Sequence, residues 1–164
     1  MKTTWTYIII GIFLATTSCN EVPLPAELSG ESSNGENDFI IFGHFYGFCG
    51  GEGCIEIFKI TSSSLYEDTN DFYPSSEERY NANFKILDQS KFDKIKNVSL
   101  NIPEELLSET ERIIGSPDAG DWGGIYLELS TGEFWLLDMN KDYLPTYLHD
   151  LRDQIRETIS KVNE

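Results

Sequence analysis

The chain has 164 residues and a mass of 18.7 kDa, with 12 basic and 28 acidic side chains and a formal net charge of −16. Its length suits one domain, and a content of 40% hydrophobic and 13% aromatic residues can bury a core, so a globally disordered chain is excluded. The negative balance repels phosphates, which argues against nucleic acid and anionic lipid headgroups as partners.

The N-terminus reads as a targeting segment. Lys2, an apolar run over residues 7–15 and the small residues Thr16-Thr17-Ser18 precede Cys19, the order of a cleaved secretory signal. The run is shorter than the roughly 20 apolar residues that span a bilayer. A cysteine directly after small residues resembles the lipobox of bacterial lipoproteins, in which that cysteine is lipidated and becomes the mature N-terminus. Ser18 fits this pattern, whereas Thr16 stands where such motifs usually carry Leu, Val or Ile. Cleavage ahead of Cys19 removes one charged residue, Lys2, and leaves 146 residues with net charge −17. Asn20 is not the Asp that resembles an inner-membrane retention signal, so the outer membrane is the expected destination.

Residues 20–38 carry five acids, no base, two prolines and two glycines without hydrophobic periodicity, the composition of a tether. As a coil these residues span about 24 Å. The expected organisation is a lipoprotein signal peptide over residues 1–18, the lipidated Cys19 with its acidic tether to residue 38, and a single α+β domain over residues 39–164.

In that domain, residues 39–46 are β-branched and aromatic and predict a strand. Residues 47–53 are glycine-rich and predict a loop, and residues 54–60 alternate as a second strand. Short strands are expected at 65–68 and 84–87, separated by a polar, irregular stretch over 70–83. Ser90 and Asp93 look like an N-capping pair for a short helix with Phe92 and Ile95 on its inner face. Pro103 opens a further helical turn through Leu107. Residues 125–130 and 133–139 predict a hairpin joined by Thr131-Gly132, which sets Leu129 against Phe134 and Leu127 against Leu136. Leu144, Leu148, Leu151, Ile155, Ile159 and Val162 make the stripe of a C-terminal amphipathic helix opening near Pro145 and packed on an antiparallel sheet.

Few residues point to chemistry. With Cys19 set aside, Cys49 and Cys54 remain, an even count in an oxidising compartment at a spacing that a turn can close, so a disulfide is expected. His44 lies in a strand and reads as a partly buried, satisfied histidine; His149 falls on the polar side of the last helix. A cleft shared by His44, Asp118 and Asp121 is the alternative, catalytic use of these groups. Acid clusters at 67–71 and 118–121 lack the pattern of a calcium loop, so no metal and no cofactor is expected. The hairpin's second face, with Tyr126, Trp135, Leu137 and Met139, is less polar than a solvated face and is expected to form a partly exposed binding surface.

The segment Gly43-His-Phe-Tyr-Gly-Phe-Cys-Gly-Gly-Glu-Gly-Cys-Ile-Glu-Ile-Phe-Lys59 resembles a group of small, uncharacterised lipoproteins of Bacteroidota, chiefly flavobacteria. The likeness continues through Leu65-Tyr-Glu-Asp-Thr69, Asp121-Trp-Gly-Gly-Ile-Tyr126 and Pro145-Thr-Tyr-Leu-His149. Members of the group often carry cysteines where this chain has Ser116 and Ala119, so the resemblance implies a local Cys49–Cys54 pair here and no four-cysteine metal site. It implies location and architecture and brings no activity with it. The expected function is therefore a non-catalytic interaction module, held to the membrane through an N-terminal lipid and meeting an unidentified envelope protein or ligand. The alternative is a small envelope hydrolase using His44 and nearby carboxylates.

Overall fold

Phe39–Phe45 (β1) and Ile55–Thr61 (β2), rich in β-branched and aromatic residues, pair antiparallel with Phe42 opposite Phe58. The structure is a computed structural model in which residues 38–164 are described, all within one compact unit. The expected signal peptide, Cys19 and the tether up to residue 37 lie outside the described residues. The remaining strands are Leu65–Asp68 (β3), Phe84–Ile86 (β4), Ile113–Ile114 (β5), Gly124–Leu129 (β6) and Phe134–Asp138 (β7). They form one seven-stranded sheet in the order β4-β3-β2-β1-β6-β7-β5. Every neighbouring pair is antiparallel except β5 with β7. The two-residue β5, unforeseen from the sequence, is too short to show any periodicity of its own.

Among the described residues three α-helices accompany the sheet: Gln89–Ile95 (α1), Glu104–Leu107 (α2) and His149–Asn163 (α3). Leu144, Leu148, Leu151, Ile155, Ile159 and Val162 are all buried, as their spacing predicts, and α3 is entered through a 3-10 turn at Thr146–Leu148. The fold is α+β, with the long C-terminal helix packed on a mostly antiparallel sheet. The Ser90–Asp93 capping pair does not form. Helix α1 starts after Asp88, whose backbone carbonyl accepts from Lys91 and Phe92, while Asp93 binds Lys96 and Gln89.

The hairpin register differs by one residue from the expected one. Leu127 lies opposite Trp135, Tyr126 opposite Leu136, and Glu128 opposite Phe134. The connection is a three-residue loop, Ser130-Thr131-Gly132, in which the Gly132 N–H donates to Leu129 and the Leu129 N–H donates to Glu133. Gly132 has φ 105°, a backbone setting that glycine adopts without strain and that closes a hairpin through a bulge. One extra loop residue exchanges the faces of the second strand. Trp135, Leu137 and Met139 consequently join Ile125 and Leu127 beneath α1 and α3.

The opposite face buries Ile41, Phe45, Ile57, Tyr126, Phe134 and Leu136. Its cover is the irregular segment 69–83, whose Tyr80 packs on Tyr126 with ring centroids 5.6 Å apart. Tyr126, Trp135, Leu137 and Met139 therefore lie on two different faces, and each is buried, with Trp135 only 3% exposed. The expected open aromatic surface does not exist at these residues, because both faces of the sheet are covered.

Candidate functional site

Phe45, Ile55 and Gly124 lie side by side at one end of the sheet, so the loops over 46–54, 69–83 and 115–123 emerge there together. One carboxylate joins all three. Asp118 Oδ2 accepts the Gly47 N–H at 2.7 Å and the Tyr73 hydroxyl at 2.9 Å, while Oδ1 accepts the Gly123 N–H at 3.0 Å. Asp118 itself has φ 60°, a setting that Asp tolerates better than most residues, and its own N–H donates to the Gly123 carbonyl. The approach to Gly47 is close: a Cβ there would lie 2.4 Å from Asp118 Oδ2. Tyr73 meets Phe45 edge-on at 5.0 Å, and desolvation, reinforced by the bond to Asp118, pushes its phenol up to about 12.

The first of these loops is also closed covalently. Cys49 and Cys54 form the expected disulfide, with Cα atoms 5.6 Å apart, and the Tyr46 N–H donates to the Cys54 carbonyl at 2.9 Å. The clasped loops carry large apolar side chains outward. Phe48 is 86% exposed and Trp122 65%, with Phe72 and Tyr73 also exposed between them in the chain. Residues 46–54, 69–74 and 115–123 contain Glu52, Asp71, Asp118 and Asp121 but no Lys or Arg. Aromatic loop tips on a rigid sheet, in a field of one sign, suit recognition of a partner.

The cleft expected from His44, Asp118 and Asp121 is not assembled. His44 Nε2 is 3.1 Å from Glu56 Oε2 and 3.1 Å from the Gly53 carbonyl, and Glu56 also accepts from Asn163 at the end of α3. His44 thus belongs to the face under α3, with its ring beside Tyr46, whereas Asp118 reaches Tyr73 on the Phe45 face. Asp121 is exposed on its loop with φ 63°. His149 is half-buried rather than solvated, its Nε2 3.1 Å from the Lys141 carbonyl and 3.2 Å from that of Leu144.

The acid cluster at 67–71 reads from the sequence as an exposed loop, but its Asp68 is buried, and sequence reasoning passes over the buried carboxylates of Glu128 and Asp138 altogether. Glu128 accepts from Arg79 Nε at 2.9 Å and from the Tyr126 hydroxyl, whose oxygen accepts the Tyr80 N–H. Asp68 accepts from the Tyr80 hydroxyl at 2.7 Å and from the backbone N–H groups of Asn70, Asp71 and Asn83. Burial first, then these carboxylate bonds, push the Tyr80 and Tyr126 phenols upward. Asp138 holds Ser116 and Asn140 through their N–H groups. These groups fasten loops to the sheet, as buried carboxylates with full hydrogen-bond partners do. The one signal for them in the sequence is Glu128 and Asp138 interrupting otherwise apolar strand runs.

A larger groove of about 550 Å³ opens at the other end of β1, lined mainly by Phe39, Ile40, Ile60, Phe92 and Leu129. Among the described residues its one cation is Lys96, held by Asp93 at 3.0 Å. Among the described residues no group of three His, Cys, Asp or Glu side chains is arranged to hold a metal, and no helix is long and apolar enough to cross a membrane. Compared with known proteins, the chain matches no family model, no curated protein and no solved structure.

Proposed function

We propose that this chain is a non-catalytic interaction module of the cell envelope, anchored through lipid on Cys19, whose contact surface is the loop end of the sheet. The observation that carries the reading is the Asp118 clasp, which makes one surface of three loops bearing exposed Phe48, Tyr73 and Trp122. Aromatic side chains on a preorganised frame lose little entropy on binding and dominate contact energies. The acids of these loops and the net charge of −16 favour a cationic protein partner. The lipobox-like start and the acidic tether support the anchor: the charge of the body would keep it from an anionic membrane that its lipid would otherwise bring near.

The surface is tested by placing a photocrosslinking residue at Phe48 or Trp122, and at the exposed Ile86 on the far edge strand, in the protein's own envelope. A discrete crosslinked species at the loop end and none at Ile86 supports the reading. Equal crosslinking at both ends, or none at either, overturns it. The anchor is tested by Cys19→Ala, which is expected to release the protein from the membrane fraction; persistent association in high salt would count against lipidation.

A further inference from the structure

The cover of the larger core stops short at the end of β1 where the chain enters. Ile60, Ile40 and Leu129 stand side by side across β2, β1 and β6 in the sheet register. All three are half-buried, as is Val98 just beyond α1, and with Phe92 they line the groove of about 550 Å³. Asp38, where the described chain starts, lines it as well, so the preceding residues set out from the groove itself.

We infer that this groove is the docking site of the chain's own residues 22–28. Val22-Pro-Leu-Pro-Ala-Glu-Leu28 is the one apolar stretch between Cys19 and Asp38, since residues 29–37 hold only Ser, Gly, Glu and Asn. A chain of that linker's length spans about 16 Å as a coil and about 30 Å at full stretch, so the segment reaches the groove without strain. So short a linker also holds the segment near the groove at an effective concentration of about millimolar, which keeps even a weak apolar contact occupied. A second copy at micromolar concentration has no such advantage, and two bodies of charge −16 repel each other. Pro23 and Pro25 bias Val22 and Leu24 toward extended backbone, which lowers the cost of ordering them along a groove. The inference stands apart from the loop-end surface, which lies at the other end of β1. For a protein anchored through Cys19 it sets the reach. Docking leaves Asn20 and Glu21 between the anchor and the seated segment, and release restores the full tether of about 24 Å.

The experiment places a benzophenone amino acid at Ala26 or at Ser33 of the mature protein, with Cys19→Ser so that neither lipid nor detergent competes for the groove. Adducts are mapped by mass spectrometry after irradiation at low protein concentration. Ser33 lies closer to Asp38 along the chain, so an undocked tether would mark the groove more from 33 than from 26. Docking reverses that order: adducts from 26 on residues 39–40, 60–62, 92–98 and 129–131 are expected at about five times the yield from 33. Leu24→Asp with Leu28→Asp, which alters no residue of the described domain, should cut that yield about tenfold. Val98→Arg, on the groove's wall, should do the same from the other side. Equal or greater marking from 33, adducts from 26 scattered over the body, or a yield indifferent to the two Asp changes would overturn the inference. Adducts joining labelled to unlabelled chains in a mixed-isotope sample would assign the groove to a second copy and overturn it as well. Marking lost when Cys19 is restored and lipidated would give the groove to an acyl chain instead.

Discussion

Gly47 and Asp118, 71 residues apart in the chain, are joined by a 2.7 Å hydrogen bond from the Gly47 N–H to the Asp118 carboxylate. The same oxygen takes the Tyr73 hydroxyl, so a single side chain sets the relative positions of three loops. Asp118→Ala removes all three side-chain bonds at once. Hydrogen bonds to a charged acceptor are worth about 1.5–3 kcal/mol when buried and less at a solvated loop, so the total loss is expected to be about 1–3 kcal/mol. The sharper readout is local: amide exchange at Gly47 and Gly123 should accelerate while that of β1 and β6 stays slow. Unchanged exchange at Gly47 would refute the clasp. Gly47→Ala should produce the same local loosening by pushing the carboxylate away.

Trp135, opposite Leu127 in the hairpin, is packed with Ile125 and Leu137 in the larger core. Trp135→Ala is therefore expected to cost about 3–5 kcal/mol, the penalty of an emptied aromatic core site, measured as a shift of the denaturant midpoint. A variant of near wild-type stability would contradict the burial described above. Trp122→Ala, on an exposed loop, should change stability by no more than about 0.5 kcal/mol.

The same two tryptophans mark what the sequence makes legible. The helical stripe from Leu144 to Val162 could be read because six buried positions recur at helical spacing; β-branched and aromatic composition named β1, alternation named β2, and two apolar runs around Thr131-Gly132 named the hairpin strands. The faces of the hairpin could not, because β7 is apolar on both sides and carries no polar residue before Asp138 to say which side is wet. Its register then rested on the turn alone, where Ser130 proved to be a third loop residue. The cover of the second face was equally hidden. Residues 70–83 read only as a polar, irregular stretch, since their hold on the sheet comes from long-range bonds of Arg79, Tyr80 and Asn83 to buried acids rather than from any periodic pattern. The disulfide was readable from spacing and compartment. Asp118 was singled out for the wrong partner, His44, because proximity in three dimensions leaves no mark on residues 71 apart from Gly47.

Arg79 and Glu128 give a prediction of a different sign structure. Glu128 is 1% exposed, and its charge is balanced by an arginine whose side chain is half exposed. Arg79→Met leaves that carboxylate buried with the Tyr126 hydroxyl as its remaining side-chain donor, a change expected to cost about 1–3 kcal/mol after allowance for solvent around Arg79. Adding Glu128→Gln to Arg79→Met removes the uncompensated charge, so the double variant should be more stable than the sum of the single changes implies. A double-mutant cycle measures this directly. Strict additivity would mean that the pair does not act as a unit.

Tyr73 makes the clasp sensitive to alkali. Its phenol is raised from the ordinary 10 to about 12 by partial desolvation of the hydroxyl, although the side chain is about half exposed, and by the Asp118 carboxylate that the hydroxyl faces, so the folded state favours the protonated form. A group whose pKa is higher folded than unfolded contributes its full stability below the unfolded value and loses it as pH climbs through the folded one. The Tyr73–Asp118 bond should therefore be intact up to about pH 10 and be lost between about pH 10 and 12, when a phenolate would face a carboxylate. Ultraviolet titration of phenolate absorbance in wild type and Tyr73→Phe checks this. Burial and the Glu109 carboxylate raise Tyr147 to about 12 as well, so the variant should lose part, not all, of the late phase near pH 12 and leave the phase near pH 10 unchanged. Loss of amplitude from the earlier phase would show that the Tyr73 hydroxyl is not held by Asp118. In the same pH window, amide exchange at Gly47 should quicken beyond the ordinary base-catalysed rise in wild type, and should show no such step in Tyr73→Phe, because only the wild-type loop carries a titrating partner for Asp118.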